Sequence, residues 1–182
     1  MEATFLACSF AGIAYIPIDK NMPESRIKTI IEQTNPKIII GDLKNEKTKN
    51  ISSNEIEQIM AKKEYEEIMN IEMKKEDIYY IIFTSGSTGE PKGVEVTYEN
   101  VNSCINWLET IVKIKNGVIL NQAVFSFDLS VADIYLSLLT SSEHYILGEG
   151  LYELYDSLKN SNANVAVITP SFAELLLLDK RL

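Results

Sequence analysis

Between Thr84 and Gly93 the chain reads Thr-Ser-Gly-Ser-Thr-Gly-Glu-Pro-Lys-Gly. Four hydroxyls (Thr84, Ser85, Ser87, Thr88), three glycines (Gly86, Gly89, Gly93) and Lys92 fall within these ten residues. Glycine lets a backbone turn tightly and bring its N–H groups against a ligand. Hydroxyls and amides crowd donors into a small arc, and Lys92 adds a mobile positive charge. Such a set suits a polyphosphate. A Walker A loop would need its lysine after the second glycine and before Ser or Thr; here Lys92 precedes Gly93. The dinucleotide pattern Gly-x-Gly-x-x-Gly fails as well, because the glycines stand at 86, 89 and 93. A plain solvent-exposed linker does not account for the string, which directly follows the apolar run Ile78–Phe83 and closes on Pro-Lys-Gly.

A second candidate is Asp128, in Phe125-Ser-Phe-Asp128, where a strand should give way to a helix. An aspartate there can be a helix N-cap. It can also pair with an ammonium group of a ligand, a charge-assisted bond that would reject acids lacking an amine. Phe127 beside it reads as a pocket wall or as core packing. Asp19 and Asp133 read as structural, and so does the lone histidine, His144. Ser, His and Asp have no spacing that suggests a hydrolytic triad.

The string at 84–93 resembles the phosphate loop of the adenylate-forming superfamily. Its members include acyl- and aryl-CoA synthetases, luciferases and the adenylation domains of peptide synthetases. Ala11-Gly-Ile-Ala-Tyr-Ile-Pro-Ile-Asp19 resembles a segment of the amino-acid-activating branch, departing at Ile13, where a second glycine is usual. Asn121-Gln-Ala-Val-Phe-Ser-Phe-Asp-Leu-Ser-Val-Ala-Asp133 resembles that branch's substrate-anchoring segment. With Thr169-Pro-Ser-Phe172 it looks most like the ligases that load D-alanine onto a carrier protein for teichoic acid. The resemblance runs over nearly the whole chain.

The resemblance implies ATP and Mg²⁺ as cofactors, and D-alanine and a phosphopantetheinylated carrier protein as partners. It implies Thr84 and Lys92 as catalytic residues, with Thr84, Ser85, Gly86, Ser87, Thr88, Gly89 and Lys92 cradling the phosphates. It favours Asp128 as the partner of the amino acid's α-ammonium, with Phe127 as pocket wall. The Mg²⁺ ligand would come from a later segment, so no metal ligand is expected within this chain. Tyr98 stands where many relatives carry a histidine, and Ser141-Ser-Glu143 replaces a usual Gly-Gly turn. The stretch 148–151 looks shorter than in relatives. Segments for adenine and ribose and a late catalytic lysine are absent from this sequence. The expectation is therefore a partial adenylation domain over 1–182, truncated at both ends and inactive alone. The alternatives are an adenylation domain for another amino acid and a truncated remnant without catalysis.

These groups must be carried by alternating strands and helices. Pro23 fits a first helical position, and Ile27, Ile30, Ile31 and Thr34 then mark one helical face. Asn35-Pro36 ends that helix. Lys37–Gly41 reads as a buried strand, Thr4–Ala11 as a buried helix, and 42–76 as a charged surface connection with a helix near 54–69. Strands are expected at 78–83, 118–120, 144–147 and 165–168. Helices are expected at 97–113, 128–139, 151–160 and after Thr169-Pro170. This order implies an α/β fold with largely parallel sheets flanked by helices, part of the large N-terminal domain of the superfamily and without its C-terminal domain.

Composition agrees. The chain has 182 residues, 46% of them hydrophobic and 24% charged, as expected of a soluble globular domain. A net charge of −9 argues against nucleic acid as a partner. No apolar run reaches the roughly 18 residues of a membrane span, and the N-terminus has no signal-peptide pattern. Cys8 and Cys104 lack metal or redox spacing and read as buried free thiols in a reducing cytoplasm.

Overall fold

The computed structural model describes residues 1–43, 45, 47–62, 71–85, 89–148 and 151–178, with the side chains of 151–155 left aside. Gly86, Ser87 and Thr88 lie outside the described residues. The chain begins with α1 (Glu2–Phe10), α2 (Glu24–Thr34), β1 (Ile38–Ile40), β2 (Lys49–Ile51) and α3 (Ser53–Ala61). β3 (Ile78–Ser85), β4 (Pro91–Thr97) and α4 (Tyr98–Ile111) follow. β5 (Val118–Asn121), α5 (Leu129–Leu139), β6 (Glu143–Ile146), α6 (Leu151–Ser161), β7 (Val165–Val167) and α7 (Pro170–Leu178) complete it.

Three sheets result. β1 and β2 pair in parallel. β5 lies between β6 and β7, parallel to both. β3 and β4 form an antiparallel ladder. The segment at Tyr15 adds to its edge: Tyr15 N–H donates to the Tyr79 carbonyl and Ile81 N–H donates to the Tyr15 carbonyl. The α/β architecture with parallel-rich sheets is as expected.

Helix α5 explains why the sheets hold together. It is apolar on nearly every side, and Val131, Ile134, Tyr135 and Leu136 are all buried. A helix of that kind must be covered all round. On one side Phe5, Tyr15, Tyr79, Tyr80, Ile82 and Val101 pack with its Val131, Ile134 and Tyr135. On the other, Leu136 meets Ile119 of β5 and Leu108 of α4. Leu136 and Ile119 are fully buried. Truncating either to alanine should cost about 2–5 kcal/mol. Phe5 and Tyr15 stack with ring centroids 4.3 Å apart, and the Tyr15 and Tyr135 hydroxyls meet at 3.3 Å. Burial pushes both phenols well above their ordinary pKa.

Several expectations need correction. β4 was not foreseen, because Pro91 and Gly93 read as turn residues. Pro91 is tolerated as the first residue of a strand. Gly93 is tolerated because the Phe83 ring lies across it, 3.1 Å from where a Cβ would stand. The helix expected near 54–69 is Ser53–Ala61 among the described residues, opened by a Ser52–Glu55 capping box. β2 was also missed. α1 is not buried throughout: Phe5 is its one buried residue. β1 buries Ile39 but exposes Ile38 and Ile40. Pro23 precedes α2 as its N-cap rather than opening its first turn. Cys8 is half-buried and Cys104 exposed, so neither is a buried thiol, though both are free.

Candidate functional site

The ladder register places the chemistry. Thr84 of β3 stands opposite Lys92 of β4, and Ser85 opposite Pro91. Residues directly opposite in an antiparallel pair share a face. Thr84 and Lys92 therefore lie side by side one pair from the Ser85–Pro91 end of the ladder, where the chain passes from β3 to β4, and both are exposed. Thr84 and Ser85, expected in a loop, are the last residues of β3. Lys92, also expected in that loop, lies on β4. Among the described residues neither hydroxyl, nor the Lys92 ammonium, has a hydrogen-bond or ion-pair partner.

Gly89, just before β4, has φ +85 and open space where a Cβ would go. Its requirement is conformational rather than steric: an alanine there is strained though nothing touches it. Behind the hairpin, Arg26 of α2 donates from Nη2 to the Phe83 carbonyl at 3.4 Å. The residue leading into Thr84 is thereby tied to α2.

Along β3, Tyr80, Ile82 and Thr84 alternate onto one face. Asp128 lies near Tyr80. Burial first, and then the nearby Asp128 charge, push the Tyr80 hydroxyl up to about 12. Asp128 takes the N-cap position of α5, with φ −61 and ψ −25, but its side chain makes no capping bond. A capping aspartate normally has extended backbone and accepts an N–H bond. The carboxylate is exposed and, among the described residues, accepts no hydrogen bond. Phe127 is 50% exposed.

The turn carrying these residues is held from below. Ser130 Oγ donates to the Phe127 carbonyl at 2.7 Å. Asn121 Nδ2 donates to the Ala123 carbonyl at 3.2 Å and to Asp133 Oδ2 at 2.9 Å. Asp133 is fully buried. His144 lies between two carboxylates, with Nδ1 2.7 Å from Glu2 Oε1 and Nε2 3.6 Å from Asp133 Oδ1. Burial alone would lower the His144 pKa, but the Asp133 and Glu2 carboxylates outweigh it and hold it above the ordinary value. The sequence reading left Asp133 and His144 as structural and did not single out Asn121. The signal was present: Asn121 ends an apolar strand and Asp133 interrupts an apolar helix, places where a polar side chain needs a partner.

The AMP-binding enzyme family model matches residues 1–182. This chain belongs to the AMP-binding enzyme family. It is 38% identical over 190 residues to a D-alanine–D-alanyl carrier protein ligase of Bacillus cytotoxicus, covering 98% of this chain and 38% of that protein. It is likewise 38% identical over 192 residues to the ligase of that name from Listeria monocytogenes serotype 4a, covering 99% of this chain and 38% of that protein. The chain thus spans less than half the length of the curated relatives it matches. Among solved structures, the N-terminal subdomain of Klebsiella oxytoca NpsA matches with TM-score 0.83 at 21% identity, over 97% of this chain and 48% of that one. ATP-bound MatB from Rhodopseudomonas palustris matches with TM-score 0.82 at 20% identity, over 100% of this chain and 39% of that one. These two likenesses establish the fold of this family member.

Proposed function

We propose that this family member forms part of an enzyme that activates D-alanine with ATP and passes it to the phosphopantetheine thiol of a carrier protein, as in teichoic acid D-alanylation. The observation that supports it is the pairing of Thr84 with Lys92 at the connected end of the β3–β4 ladder, with Asp128 exposed and close enough to Tyr80 of the same strand for its charge to act on that hydroxyl. Polyphosphate donors and an ammonium partner are then available to one ligand set.

In the reaction, a carboxylate oxygen of D-alanine attacks the α-phosphorus of ATP. A new P–O bond forms, the bond to the β-phosphate bridge breaks, and pyrophosphate leaves. Negative charge shifts toward the departing phosphates. Lys92, the hydroxyls of Thr84 and Ser85 and the backbone at Gly89 stabilise it, and Gly86, Ser87 and Thr88, outside the described residues, are assigned to the same task from the sequence alone. Asp128 holds the α-ammonium, and Phe127 closes one side of the pocket. The thiol then attacks the acyl carbon and AMP leaves. Among the described residues no group of three His, Cys, Asp or Glu side chains gathers to hold a metal. In this reading Mg²⁺ would be bound with ATP, and no step is assigned to it. No described helix is long and apolar enough to cross a membrane. The use of ATP supports a cytoplasmic reaction.

The test is ATP–pyrophosphate exchange by the full-length polypeptide carrying residues 1–182. Exchange dependent on D-alanine supports the reading. Exchange with a different amino acid instead assigns a peptide-synthetase type of adenylation domain. Exchange with none would mark a remnant. Residues 1–182 alone should give no exchange.

A further inference from the structure

We propose that Asn121 and Asp133 are positioning residues that aim the segment bearing Phe127 and Asp128. The proposal rests on reading Asp128 as the ammonium partner. Among the described residues Asp128 accepts no bond that would fix its carboxylate, so its direction is set by the backbone of residues 123–128. That backbone is gripped at both ends. At the far end, the Phe127 carbonyl accepts from the Ser130 hydroxyl at 2.7 Å and from the Ser130 N–H at 3.1 Å. At the near end, the Ala123 carbonyl accepts from Asn121 Nδ2.

The near grip is anchored twice. Asn121 ends the central strand, facing Ile146 and Val167 in the two neighbouring strands. The second hydrogen of its Nδ2 goes to Asp133 Oδ2, while Asp133 Oδ1 accepts from the Ile134 N–H at 2.9 Å. A buried carboxylate adds less stability than an apolar side chain of that size. What it supplies is direction: it fixes the Asn121 amide, whose free rotation would release Ala123. Asp133 thus acts on the amino-acid site through Asn121 and never touches substrate.

The test compares Asn121→Ala and Ser130→Ala with wild type in the full-length polypeptide. Hydrogen exchange is followed at the Phe127, Ser130 and Val131 amides, all bonded within the turn or the first turn of α5. D-alanine and MgATP affinities are measured alongside. Asn121→Ala should speed exchange at those amides and weaken D-alanine binding by about tenfold each, with MgATP binding and the Ile119 and Leu120 amides unchanged. Ser130→Ala, a smaller change, should move the same amides less. Unchanged exchange in both variants would overturn the proposal, as would equal weakening of both ligands. Failure of the wild type to bind D-alanine would overturn the functional reading instead, and the exchange data would then decide the brace alone.

Discussion

Thr84 and Lys92 face each other across the β3–β4 ladder, one residue from the end where the chain passes between the two strands. The lysine is therefore based on a strand rather than on a mobile loop, and its charge starts from a fixed point beside a hydroxyl. A donor fixed in advance gains most in a transition state, because little reorganisation is needed when charge develops. Lys92→Ala in the full-length polypeptide should lower the adenylation rate on the order of 10²-fold while leaving D-alanine affinity nearly unchanged. Single-turnover kinetics with both substrates saturating would check this. An unchanged rate would remove Lys92 from the reaction.

Asp128 tests the choice between cap and ligand partner. A side chain that caps a helix is worth about 1 kcal/mol; Asp128 makes no such bond. Asp128→Ala should therefore leave the thermal midpoint unchanged while raising the D-alanine KM about 10- to 100-fold, the worth of one charge-assisted bond. MgATP affinity should survive. A lower melting point together with equal loss of both ligands would return Asp128 to a structural role.

A stabilising change is available at the end of α5. Ser142 N–H donates to the Ser137 carbonyl and Ser141 N–H to the Leu138 carbonyl, the two bonds of a Schellman ending. That ending needs a left-handed residue at Ser141, whose φ is +53. A serine pays about 1 kcal/mol there that glycine does not. Ser141→Gly should raise the thermal midpoint by about 2–4 °C without altering ligand binding. A fall in the midpoint would show that the flexibility gained by the unfolded chain outweighs the relieved strain.

The alternation of strands and helices was legible because apolar periodicity reports burial directly. Val101, Ile105, Leu108 and Val112 mark the inner side of α4, where Val101 and Leu108 are buried. The phosphate string was legible from residue types alone. Strand β4 was not, since Pro91 and Gly93 carry turn propensity, and the Phe83 and Ile81 side chains that crowd Gly93 from β3 are not visible in the local pattern. The exposed faces of α1 and β1 were misread for a related reason: runs of apolar residues do not say what covers them. Asp133 and Asn121 could be seen as polar residues in apolar surroundings, but their contact spans a strand end and a helix, which no local pattern encodes. The same holds for His144, whose carboxylate partners lie in α1 and α5.

That histidine makes stability depend on pH, and the sign follows from its partners. Glu2 and Asp133 raise the His144 pKa in the folded chain above the ordinary 6.5. The folded state therefore binds the proton more tightly than the unfolded state does. Below about pH 6.5 the ring is protonated in both states, and the stabilisation from the two carboxylates is fully present. As pH rises through the raised folded value, the proton leaves and that stabilisation is lost. His144→Gln keeps a polar side chain but cannot carry the charge. The wild-type thermal midpoint, measured against that of His144→Gln, should be highest below about pH 6.5 and should decline as pH rises above it. Because Glu2 lies in α1, the loss should show first as faster hydrogen exchange in residues 2–10. A difference between the two proteins that does not change with pH would mean that the folded and unfolded chains bind the His144 proton equally, and that Glu2 and Asp133 do not hold the ring charged.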